Sequence, residues 1–291
     1  MSAITINQPL VSILLPVFNG GKDFLPAVKS IIDQTYCSWE LIIIDDGSTD
    51  GGLEQIIELN HPQIRIVQNK KNEGLAVVLN QAIHLAQGQY IARMDADDLS
   101  YPDRLERQVA FLEANSDIDL LATRAILFDG INYEPLGMLP WNEFHSAIVE
   151  NPSAGIKMPH PTWMGKATWF RENLYAIPEV VRAEDQELLL RTMLKSKFHT
   201  IPEVLLAYRR ATPAFQKRFK ARVSLLNAQI KFFYRNHWLL DILKAIGYFL
   251  LKVCFDIIGL IGSSRLILHP SVQQQLGKNE LTRFSNAIKS K

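Results

Sequence analysis

Two cysteines, Cys37 and Cys254, are all that the 291 residues contain. That excludes a disulfide framework, and both thiols are expected to behave as small buried apolar groups. No G-x-G-x-x-G follows the first apolar run, and neither a G-x-x-x-x-G-K-[ST] loop nor a G-x-S-x-G elbow occurs anywhere. The dinucleotide, P-loop and serine-hydrolase readings therefore lose their motifs. The opening "MSAITINQPLVSILLP" lacks the basic, apolar and small-residue order of a secretory leader, so the bulk of the chain is expected in the cytoplasm. Internal repeats and low-complexity tracts are lacking as well.

Hydrophobic residues make up 47% of the chain, enough for a packed core. The formal net charge of +1 conceals an asymmetry: residues 1–203 hold 16 Lys and Arg against 27 Asp and Glu, whereas residues 204–291 hold 15 against 3. A basic C-terminal part suits an anionic partner, either nucleic acid or a membrane surface.

"LVSILLPVFN" (10–19) and "WELIIIDDGSTDGG" (39–52) read as strands buried on both faces that end in polar turns. "GGKDFLPAVKSIIDQTY", "LEQIIELN" and "GLAVVLNQAIHLAQG" have helical spacing, the last closed by Gly88. "QIRIVQN" and "QYIARMDADD" complete an alternation of strands and helices, which predicts βαβ units in a mostly parallel sheet. A ligand then belongs beyond the carboxyl ends of the strands, where Asn19, Asp45, Asp46 and Asp95 to Asp98 should converge. Crowding three acids into "MDADD" suits either a polar turn that caps the following helix or a site for a hard divalent cation. That helix, "YPDRLERQVAFLEAN", has Ser100 as its expected N-cap and Pro102 in its first turn, with Asp98 as a second capping candidate. Residues 123–173 look irregular, like a binding-loop region, and "AEDQELLLRTMLKS" resumes as an amphipathic helix. From Lys217 onward the chain reads as helical. Asp241, Lys244, Tyr248, Lys252, Asp256, Gly259 and Ser263 form a narrow polar stripe on an otherwise apolar helix. A membrane span needs ~20 predominantly apolar residues, so this stripe fits a helix lying in the membrane interface better.

Five segments in order, "VSILLPVFNGG", "IIIDDGSTDGG", "NEGLAVVLNQAI", "GQYIARMDADD" and "AEDQELLLR", resemble the family 2 glycosyltransferases over roughly residues 10–195. The resemblance implies a GT-A fold: a doubly wound, mostly parallel sheet flanked by helices over residues 1–210, here with a basic, amphipathic helical extension over 211–291. It implies an inverting transfer of sugar from a nucleotide-sugar, with a UDP-linked donor expected, to a hydroxyl acceptor. By the same resemblance Pro16, Val17, Asn19, Asp45, Asp46, Asn72, Gly74, Asn80, Arg93 and Asp95 line the donor pocket. Relatives often carry arginine just before the asparagine at position 80, where this chain has Leu79, so the charge that faces the phosphates must come from elsewhere, with Lys70, Lys71, Arg93 and the metal as the candidates.

"DAD" at 95–97 matches the family's D-x-D signature, with Asp97 the direct ligand of Mg²⁺ or Mn²⁺ and Asp95 shared between metal and ribose. Asp185 matches the family's usual base and Glu184 stands beside it; the other possibility is that both are acids favoured by a helix N-terminus. His160, Trp163 and Trp169 are candidate sugar or acceptor contacts, weighed against ordinary packing. No Q-x-x-R-W follows the base, so single addition is expected rather than polymer synthesis. The acceptor implied is a lipid-linked oligosaccharide or a surface-polysaccharide precursor, met at the inner face of a membrane without nucleic acid. Nucleotidyl transfer and a catalytically lapsed nucleotide-sugar-binding protein are the competing classes.

Overall fold

In the computed structural model, residues 8–177, 182–210, 214–261 and 276–289 are described. The chain runs β1 (Val11–Val17), α1 (Phe24–Ile32), β2 (Trp39–Asp45), α2 (Gly52–Glu58), β3 (Ile64–Gln68), α3 (Leu75–Leu85) and β4 (Tyr90–Arg93). Next come β5 (Leu99–Ser100), α4 (Arg104–Ala114), β6 (Leu120–Asp129), β7 (Pro135–Met138), α5 (His145–Ile148), β8 (Met164–Lys166), α6 (Ala167–Glu172), α7 (Glu184–Thr192) and β9 (Phe198–Arg210). Three helices close the described chain: α8 (Phe215–Arg235), α9 (Leu239–Ile261) and α10 (Lys278–Lys289).

One sheet takes the order β3-β2-β1-β4-β8-β6-β9-β5, with β7 added on β6. Its first four strands are parallel. β8 is antiparallel to both β4 and β6, and β9 runs parallel to β6. β1, apolar except for Ser12, is buried on both faces because alternate residues enter different cores. Ile13, Leu15 and Val17 pack with Phe24, Val28 and Ile31 of α1. Leu14 packs on the other side with Val78, Leu79 and Ile83 of α3. β1 thus lies between two parallel neighbours, and the carboxyl ends of β1, β2 and β4 share one sheet edge.

Several local expectations are corrected. α3 ends at Leu85 rather than at Gly88. Gly88 is needed for a close approach, since a Cβ there would lie 2.6 Å from the Leu10 carbonyl oxygen. α4 starts at Arg104 with Asp103 in the N-cap position. Ser100 instead bonds back to the end of α1, its N–H donating to Ser30 Oγ (3.1 Å) and its Oγ accepting from Gln34 Nε2 (3.0 Å). The stretch expected to be irregular begins with a long strand: β6 pairs with β9 across ten registered positions, and its Ile126 and Phe128 are fully buried. Cys37 and Cys254 are exposed, the first in the α1–β2 connection and the second on α9. α10 returns to the sheet, burying Phe284 and Ala287 with Tyr101 and Phe128. Ser263 of the polar stripe lies outside the described residues.

Candidate active site

At the end of β1 the chain turns through Asn19, whose φ of 53° is tolerated by a short polar side chain. Its N–H donates to Ser48 Oγ (2.8 Å), and its Oδ1 accepts from the Thr49 N–H (2.9 Å). The loops after β1 and β2 are thereby locked together. Asp45 is buried and its Oδ1 accepts from the Ser48 N–H (3.0 Å). Gly47 must be glycine: its φ is 79°, and a Cβ there would lie 2.9 Å from the Lys71 carbonyl carbon. Pro16 and Val17 are buried in β1 and form the floor of the edge.

Asp46 faces inward. Its carboxylate accepts from the backbone N–H groups of Glu73 and Gly74 (2.9 Å each) and from Asn69 Nδ2 (3.2 Å). It organises the turn that carries Asn72 and Gly74, with Asn72 exposed. Asn80 also has both amide groups engaged: Oδ1 accepts from the Tyr175 N–H and Nδ2 donates to the Tyr175 carbonyl, each at 2.9 Å. Buried in α3, it clamps the segment before α7 and is not open to a ligand, which corrects its expected place in the donor pocket.

The acidic turn leaves β4 through Arg93, which is 2% exposed and ion-paired with Asp95. This arginine balances the acids from beneath, so it does not supply the exposed cation expected for phosphates. Beneath it, Arg104 Nη2 donates to the Arg93 carbonyl (2.7 Å) and Arg104 Nε to Gln108 (3.0 Å). Asp98 is not a helix cap; its Oδ1 accepts from the Arg209 N–H (2.8 Å) on β9. The Arg209 side chain then donates to the carbonyls of Asp97 and Gly130 (2.8 Å each) and reaches Asp23 (3.1 Å). Its guanidinium carbon lies 4.8 Å from the Phe128 ring centroid. Arg209 is a site residue that no motif in the sequence marks. A lone arginine at the end of a strand gives no signal until pairing shows what it meets.

Electrostatics mark the same edge. Burial and the neighbouring Asp95 push Asp97 up to about 6. Burial, with Asp95 and Asp97 adding repulsion, also raises Asp98. At the start of α7, burial and Asp185 raise Glu184 to about 7, with Asp95 contributing across the site. Asp185 is raised by burial and held back by its bonds to Gln186. Among the described residues no group of three or more His, Cys, Asp and Glu side chains is arranged to hold a metal ion. The donor chemistry nevertheless fits a hard cation: Asp95 and Asp97 offer carboxylate oxygens, and burial beside Asp95 raises the affinity of Asp97 for a proton that a divalent ion would displace.

His160 lies beneath this edge, 9% exposed, with Nε2 2.6 Å from Tyr175 Oη and its ring against Trp163. Burial and the nearby Arg93 hold it well below its ordinary pKa, so it is neutral. Trp163 and Trp169 are core residues, donating to the Met158 carbonyl and Ser196 Oγ respectively. Neither indole presents a face on which a sugar could stack.

An α/β sheet whose parallel strand ends gather acids opposite a carboxylate-bearing helix start defines a transferase-type site on a GT-A fold. The chain belongs to glycosyl transferase family 2, whose profile matches residues 12–171. It is 34% identical over 219 residues to the provisionally assigned glycosyltransferase EpsE of Bacillus subtilis, covering 72% of this chain and 76% of that one. It is 46% identical over 101 residues to WcaA of Escherichia coli, provisionally assigned to colanic acid biosynthesis, covering 34% and 36%. Other curated relatives are much longer, and the chain spans as little as 18% of one of them. Among solved structures, S. aureus TarS 1-349 in complex with UDP-GlcNAc shares the fold, with a TM-score of 0.65 and 15% identity over 96% of this chain and 80% of that one.

Proposed function

We propose that this glycosyltransferase moves one sugar per turnover from a UDP-sugar to a hydroxyl acceptor, inverting the anomeric centre. The observation that carries the reading is the meeting of Asp45, Asp95 and Asp97 with Glu184 and Asp185 at one sheet edge, where Glu184 and Asp97 are pushed to about 7 and 6. The UDP-GlcNAc bound by the TarS fold relative supports the donor class. WcaA's provisional assignment to colanic acid biosynthesis supports a surface-polysaccharide precursor as acceptor, and a lipid-linked precursor of that kind is met at the membrane.

In this reading Asp45 accepts from the base or ribose, using the oxygen left after Oδ1 holds the Ser48 N–H. The turn at Asn72 to Gly74, braced by Asp46, borders the nucleotide, and Asn19 fixes the opposite loop. Mg²⁺ or Mn²⁺ held by Asp97 and Asp95 would offset charge on the departing nucleoside diphosphate. Arg93 and Arg209 keep those carboxylates aimed, one by ion pairing and the other through the Asp97 carbonyl. Asp185 takes the proton of the acceptor hydroxyl as its oxygen attacks the anomeric carbon, and Glu184 holds a second proton beside it near neutral pH. His160 supports this set through Tyr175.

A panel of nucleotide-sugars tested by thermal shift, with and without Mn²⁺, checks the donor. One or more UDP-sugars should raise the melting temperature, and by more when Mn²⁺ is present. Equal shifts for every nucleotide, with no effect of Mn²⁺, would remove the donor and metal assignments.

A further inference from the structure

A surface helix ordinarily turns its polar stripe to water and its apolar stripe to the core. In α9 most of the polar stripe instead turns inward, Lys244 being its exposed member, beside Ile242 and Ala245, which pack against the core. Asp241 accepts from Ser153 Oγ (3.2 Å), Tyr248 Oη accepts from Asn151 Nδ2 (3.1 Å), and Lys252 Nζ donates to the Ala154 carbonyl (2.7 Å). Asp256, 6% exposed, is held by Arg222 of α8 at 2.6 and 3.0 Å. Every one of these polar side chains points into the molecule. Leu240, Leu243, Leu250, Leu251, Phe255 and Ile258 point out, with exposures from 46% to 72%. At 1.5 Å per residue, the stripe from Leu240 to Ile258 is about 27 Å long. An exposed apolar strip of that length marks an interaction surface.

Charge identifies what covers it. Between Ala214 and Gly259 the only acids are Asp241 and Asp256, and both are turned inward and paired. Exposed Lys217, Lys220, Arg235 and Lys244 lie on the same helix pair. An apolar strip bordered by cations, with no outward carboxylate, matches acyl chains beneath anionic head groups. A second copy of the chain, docked through the same face, would instead set cations against cations. None of the helices among the described residues is long and apolar enough to cross a membrane, so the helix must lie along the surface.

The geometry points to α9 as a bilayer-docking element, its Leu240 to Ile258 face seated at the head-group boundary of an anionic phospholipid membrane. This deepens the membrane-acceptor reading above and rests on it for the acceptor alone. The polar stripe fastens the docked helix to residues 151–154, which Gln229 also holds through the carbonyls of Pro152 and Ser153 (2.7 and 3.0 Å). That strand of loop continues into Ile156, whose N–H and carbonyl are both bonded by Gln186, the neighbour of Asp185. The docking face is therefore joined through a short hydrogen-bonded path to the end of the site where an acceptor hydroxyl would arrive.

Flotation of the full chain with vesicles tests the assignment. Wild type should float with mixed phosphatidylcholine–phosphatidylglycerol vesicles and much less with phosphatidylcholine alone. Leu243→Glu combined with Leu250→Glu should lower the bound fraction roughly tenfold or more, while Leu194→Glu, at an exposed leucine outside α9, should not. The double variant should keep its melting temperature and its donor turnover in solution, so a failure of docking is distinguishable from a failure of the catalytic reading. Equal flotation of wild type and double variant, or none by wild type, overturns the proposal. So does a wild-type dimer in sedimentation velocity that the double variant abolishes without any vesicle binding.

Discussion

Asp46 and Glu184 show how far a residue type determines its task. Both are acids in family-like motifs, yet Asp46 serves backbone N–H groups whereas Glu184 keeps a proton near neutrality. Its ordinary value of 4.5 applies to the unfolded chain, so between that value and about 7 the folded state binds the extra proton. Stability therefore falls as pH rises through this window and levels off above it. Urea unfolding at pH 5 and pH 8 should show wild type losing about 3 kcal/mol more than Glu184→Gln over that interval; parallel losses would contradict the assigned environment. That Asn19, Asp45, Asp46 and Asp95 to Asp98 would sit at or just beyond the ends of β1, β2 and β4 was legible, because each group closes an apolar run. The inward role of Asn80 was not, because its partner Tyr175 lies far along the chain; Arg93 and Trp163 bond near neighbours, Asp95 and the Met158 carbonyl, but their burial comes from sheet packing that local sequence does not show.

At the scale of elements, two-faced burial made β1 and β2 readable, and helical spacing made α1 and α3 readable. The partner of β6 was not, since β9 joins it from some eighty residues away and the pairing carries register shifts near Arg124. α9 was legible as a striped helix, but periodicity does not say which side of a stripe faces the protein. The inward side depends on Asp256 and its arginine clasp. Asp256→Ala leaves Arg222 without its buried carboxylate and should cost about 3 kcal/mol in chemical denaturation. A loss within about 0.5 kcal/mol, the range of an ordinary surface substitution, would contradict an inward stripe.

Across the whole molecule, the parallel half of the sheet gathers the loops that follow β1, β2 and β4, and the mixed half brings β9 and Arg209 to brace the acidic turn. The C-terminal helices are joined to both: α8 and α9 grip the 151–154 loop, and α10 closes over Tyr101 with Arg283 bonded to Asp103 (2.6 Å). Removing residues after 210 would therefore strip buried surface from the sheet along with any membrane contact. The proposed role of Asp185 as base is decided by steady-state sugar transfer and donor affinity in Asp185→Asn. With Asp185 as base, kcat should fall by roughly a hundredfold or more in this variant while donor affinity stays near wild type. Near-normal turnover in that variant would contradict it.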